Sequence, residues 1–154
     1  FVGFKMFYRD YRGNLKKFLD ETCQTLNSKW ETIEENLTDV SDSFNIASET
    51  IYYIFQDNAF HKWVHNEYEN KFNRAVFDIM MYYFSNNTIA ELAKQKKDEV
   101  KRAFELLCEE DNEFLASLER TTKSIGSTNL RYSTWGKELS RILDLRIDIP
   151  EISK

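Results

Sequence analysis

Four glycines and one proline in 154 residues leave the chain with little punctuation. Sandwiches and barrels need Gly and Pro at most of their turns, so this scarcity excludes them and favours long helices. Cysteine is scarce as well. Cys23 and Cys108 stand far apart with no CxxC or His/Cys spacing, which excludes a disulfide framework and a zinc knuckle and predicts two reduced core thiols. No run approaches the ~20 apolar residues of a membrane span, and Phe1 to Phe7 is too short and wrongly flanked for a signal peptide. The expectation is a cytoplasmic protein with no membrane partner. The formal net charge of -5 lacks the cationic excess of a dedicated nucleic-acid domain. The densest basic run, Lys94 to Arg102, is interleaved with Glu91, Asp98, Glu99 and Glu105 and predicts a solvated helix face.

What the chain does have is aromatic area. Twelve Phe, eight Tyr and three Trp, each able to bury roughly 150–250 Å², supply a sizeable core without staples. The fold class predicted is all-α, a compact bundle of six or seven helices forming a single domain over 1–154. Leu15, Phe18, Leu19 and Leu26 give one amphipathic helix. Trp30, Ile33, Leu37, Val40, Phe44, Ala47, Ile51 and Ile54 carry the 3.6-residue period on for about seven turns, long enough to predict a break near Thr38–Ser43. The acidic residues between Glu31 and Glu49 fall mainly on the opposite, solvated face. The period is lost at Ala59 to Trp63, predicted short-helical or irregular, and returns in the nearly all-apolar stretch Phe72 to Phe84.

Asn86 and Asn87 are predicted to stop that helix and cap the next. A further helix carries Val100, Phe104 and Cys108, and one capped by Asp111 or Asn112 buries Phe114 and Leu118. Thr121 to Thr128 is predicted to be a polar loop ahead of a last helix with Leu130, Trp135, Leu139 and Leu143. Pro150 stops any helix in the tail, 147–154. The chain opens at Phe1 without Met inside an apolar aromatic stretch, and the expectation is a piece excised from a longer protein.

No catalytic constellation, metal site or cofactor loop is visible. His61 and His65 stand four apart, half of a metal site if helical, but without the Glu of His-Glu-x-x-His. The loop at Thr121 to Thr128, with Arg131 nearby, joins hydroxyls, backbone amides and a cation in a way that suits an anion, although a plain connector fits it too. Asn73-Arg74, opening the most apolar helix, places a charge beside a buried face and so predicts an assigned partner.

Three stretches, Ile51-Tyr52-Tyr53-Ile54-Phe55-Gln56-Asp57-Asn58-Ala59-Phe60, Phe72-Asn73-Arg74-Ala75-Val76-Phe77-Asp78, and Asp111-Asn112-Glu113-Phe114 leading to Thr122 and Arg131, together resemble the helical half of the GmrSD-type restriction-protein family. The match in order and approximate spacing covers about Leu15 to Leu143. The family pairs this region with a ParB/sulfiredoxin-like N-terminal NTPase domain, and some members carry an HNH nuclease. Its Asp-Gly-Gln-Arg-type motif and any His-Asn-His signature are absent here. The resemblance therefore implies a non-catalytic module of a phage-defence protein, supporting a nucleotide- or DNA-acting domain that lies N-terminal to it, with Asn73, Arg74, Thr122 and Arg131 at the inter-domain or nucleic-acid contact. DNA would be reached through the parent protein. The alternative is an independent protein-interaction bundle in which exposed aromatics such as Phe1, Phe4, Phe7 and Tyr8 dock a partner or a second copy.

Overall fold

The computed structural model describes residues 1–120 and 123–152, the side chains of Glu35 and Asn36 excepted. The helices begin where short polar side chains can receive the orphan amides of a first turn. Asn14, Asn73, Asn86, Asp111 and Ser124 accept from the backbone N–H of Lys17, Val76, Ile89, Phe114 and Ser127. The helices they open are α2 (Leu15–Ser28), α4 (Arg74–Phe84), α5 (Asn87–Gln95), α7 (Asn112–Glu119) and α8 (Ile125–Leu143). Without side-chain caps stand α1 (Val2–Phe7), α3 (Trp30–Phe55) and α6 (Lys97–Glu110). Eight α-helices among the described residues exceed the predicted six or seven, because α1 had no clear periodic signature in the sequence.

The chain is mostly helical but not purely so. His61–Val64 (β1) and Glu67–Phe72 (β2) pair antiparallel, Val64 opposite Glu67 and Trp63 opposite Tyr68, where a short helix or irregular stretch was predicted. Both turn residues, His65 (φ 53°) and Asn66 (φ 65°), are left-handed, the type I′ geometry that matches the twist of a two-residue hairpin. The hairpin is anchored by its long polar side chains: Tyr68 Oη donates to Glu105 Oε1 (3.1 Å), and Trp63 Nε1 to Glu109 Oε1 (2.7 Å). Lys62, buried despite its charge, lies 3.0 Å from Glu69 and 2.5 Å from Glu119, so opposite charges stand on both sides of it.

The predicted break in the long helix does not occur: α3 runs 26 residues without interruption. Its last third enters the main core, where Ala47, Ile51, Ile54 and Phe55 lie among residues of α4, α5 and α6. Trp135 lies at the centre with no exposed surface, its ring 5.6 Å from Phe104 and 6.4 Å from Phe84. A smaller core gathers Phe4, Tyr11, Phe18 and Ile152, and Phe4 links the two through Tyr132, 6.2 Å away. Phe4 is thus interior, and Phe1, Phe7 and Tyr8 are half-buried on the cores, so the aromatics proposed to dock a partner are spent inside the fold. Exposed large apolar residues lie elsewhere, at Trp30, Phe44, Tyr52, Tyr53 and Phe72.

The tail has no helix, as Pro150 predicts, yet it is held. Asn129 grips Ile152 in both directions, Nδ2 donating to its carbonyl and Oδ1 accepting from its N–H, each at 2.9 Å. Of the two thiols Cys108 is buried, which pushes its pKa up to about 12, whereas Cys23 is exposed on α2 rather than in a core.

Candidate functional site

The sequence candidates meet at the start of α4. Asn73 is consumed by the fold: its Oδ1 caps α4 and its Nδ2 donates to the Leu118 carbonyl (3.1 Å), tying α4 to α7. Arg74 follows at the first helical position and is exposed. One turn later Asp78 faces inward in an otherwise apolar helix. Arg131, only 2 % exposed on α8, shares with Tyr11, Arg74, Asp78 and Lys123 a narrow cleft of about 70 Å³. Arg74 and Arg131 are therefore brought together, although 57 positions separate them in the sequence. Thr122 lies outside the described residues. Lys123, its neighbour, enters the cleft, and its carbonyl accepts the Tyr11 hydroxyl.

The electrostatics follow from burial. Loss of water raises the Asp78 carboxyl above its ordinary value, opposed by the positive charges of Arg131 and Arg74. Burial likewise loosens the Arg131 proton, and the ring of Tyr132 and the charge of Asp78 restrain it. A carboxyl whose native pKa lies above its unfolded one binds its proton more tightly when folded, so its contribution is complete below the unfolded value and is lost as pH rises through the native one. Asp78→Asn removes that dependence. Stability measured by urea titration is expected to coincide for the two proteins at acid pH and to fall in the wild type relative to Asp78→Asn as pH climbs from 3.8, the ordinary Asp value. Parallel curves would refute the assignment.

Asp78 escaped the sequence reading, although a single acid inside an apolar helix was its signal. Beside the cleft, the second missed feature is aromatic: Phe72, 55 % exposed at the end of β2, completes a three-ring cluster with Phe60 and Phe77, centroids 5.0–5.9 Å apart. The residues between Ser124 and Thr128, expected to belong to a polar loop, instead form the cap and first turn of α8. His61 and His65 sit on a strand and a turn, so the helical geometry that would have aligned them is absent. Among the described residues no three His, Cys, Asp or Glu side chains are grouped to hold a metal, and no helix is long and apolar enough to cross a membrane.

The class that fold and site define is a mostly helical protein with a two-stranded hairpin and a small cleft lined by Arg74, Asp78, Lys123 and Arg131 beside the start of α4. No family model, curated protein or solved structure matches the chain.

Proposed function

We propose that the chain is a non-catalytic helical module of a GmrSD-like phage-defence restriction protein, cytoplasmic, that packs on and supports a nucleotide- or DNA-acting domain of the same parent chain. The face that does so is the start of α4. The observation that supports this reading is the exposed Phe72, seated on Phe60 and Phe77 and flanked by the exposed cations Lys71 and Arg74. An aromatic anchor beside an Arg is the residue pairing in which interface energy concentrates. Arg131 supports the face from beneath, through the cleft it shares with Arg74.

Phe72→Ser combined with Arg74→Ala separates docking from folding, because both side chains are exposed. The isolated module is expected to lose about 1 kcal/mol or less in denaturant titration, the size of an exposed ring contact. The parent protein's restriction of phage is expected to drop tenfold or more. Unchanged restriction would remove the reading. Arg131→Ala is the poorer test, since loss of a buried cation perturbs the fold itself.

A further inference from the structure

A second surface runs along the first half of α3, from Trp30 to Phe44. We infer that the first half of α3 is a docking arm for a cationic amphipathic helix of a partner protein. Trp30, Ile33, Leu37, Val40 and Phe44 recur at three- and four-residue spacing and so lie along one side of the helix, a stripe of roughly 21 Å at 1.5 Å per residue. Trp30 is 52 % and Phe44 41 % exposed, and Ile33, Leu37 and Val40 belong to neither hydrophobic core. Ile33, Leu37 and Val40 are half-buried, and at the far end of the stripe the Phe44 ring centroid stands 5.4 Å from that of Phe1.

Charge decides the occupant. α3 contains no Lys or Arg in its 26 residues. Glu31 and Glu34 near its start favour the helix dipole, but Asp39 and Asp42, three turns in, lie beyond its reach. α2, α5, α6 and α8 each pair an acid with a base along their own length; among the described residues no ion pair reaches Glu31, Glu34, Asp39, Asp42 or Glu49. The arm is thus apolar on one side and carries uncompensated negative charge around the rest. A second copy would bring the same sign against it. A helix with Leu or Ile on one face and Lys or Arg at its flanks satisfies both properties, as in helix-in-groove recognition.

The probe is a labelled amphipathic Leu/Lys peptide of about 14 residues, matched to the stripe length, with a scrambled peptide of the same charge as control. Fluorescence anisotropy against the whole chain is expected to show saturable binding at low salt, at least tenfold weaker for the scrambled peptide. Leu37→Ser/Val40→Ser and, separately, Asp39→Lys/Asp42→Lys are each expected to weaken it tenfold or more. Glu110→Lys/Glu113→Lys, the same charge change elsewhere, shifts it less than threefold. Asp39→Lys/Asp42→Lys alters only exposed positions, which guards against loss of folding in the stripe variant. Equal affinity for the scrambled peptide, insensitivity to either arm variant, or self-association of the free protein lost in Leu37→Ser/Val40→Ser would overturn the inference.

Discussion

Gly136→Ala is expected to lower the stability of the protein by about 3 kcal/mol, against the direction that helix propensity sets. In an unobstructed helix the added methyl stabilises by roughly 0.5–1 kcal/mol. At Gly136, in the interior of α8, a Cβ would stand 2.3 Å from Tyr83 Oη and 2.7 Å from its Cζ. Tyr83 has nowhere simple to go: it is buried, and its hydroxyl donates to the Tyr132 carbonyl at 2.7 Å. The methyl therefore forces either a shift of α8 from α4 or the loss of that hydrogen bond, and either outweighs the propensity gain. The denaturation midpoint is expected to fall by roughly 6–12 °C for a domain of this size. Placing Gly136→Ala in a Tyr83→Phe background softens the penalty only in part, because removing Oη leaves the ring carbon in contact. A stabilised Gly136→Ala would show that α8 and α4 can part freely.

Trp135→Ala should cost about 3–5 kcal/mol, since the whole indole leaves a cavity between Phe84 and Phe104 that rigid rings close poorly. The more informative comparison is Trp135→Phe. Among the described residues no hydrogen-bond acceptor meets the buried indole Nε1, an arrangement that itself costs roughly 1–3 kcal/mol. Phe removes the unpaired donor together with part of the ring, so the two effects oppose each other and the net loss is expected to stay below about 1.5 kcal/mol. Urea titration of both variants checks this. Were Trp135→Phe as damaging as Trp135→Ala, the donor would have to be satisfied in solution.

Helical periodicity carried most of the fold into the open. The stripe from Trp30 to Ile54 predicted α3 within a residue or two, and the pairs Asn86-Asn87 and Asp111-Asn112 marked helix starts through side-chain chemistry that is local. The hairpin was hidden because its turn is His65-Asn66 rather than Asn-Gly, and because β2 is mostly polar, with Tyr68 and Phe72 its two aromatics and no β-branched residue. Ser124, Gly126 and Ser127 resembled a loop because cap and first-turn residues have loop composition. The expected break in α3 rested on length alone, a statistical habit that tertiary contacts at its far end override. Of the candidate site, Asn73, Arg74 and Arg131 were visible as polar residues at the margins of apolar helices. The grouping of Arg74 and Arg131 around Asp78 depends on α4 and α8 packing together, which a one-dimensional pattern does not encode. The exposure of Trp30 and Phe44 was equally invisible, since a stripe facing solvent and one facing a core have the same period.

Ile152 closes the small core that Phe4 opens. With the Asn129 clasp at one side and α1 at the other, the first and last described segments of the polypeptide emerge near one another on the same flank of the molecule. A segment running from Ile152 back to α1 would therefore follow one flank and cross neither core.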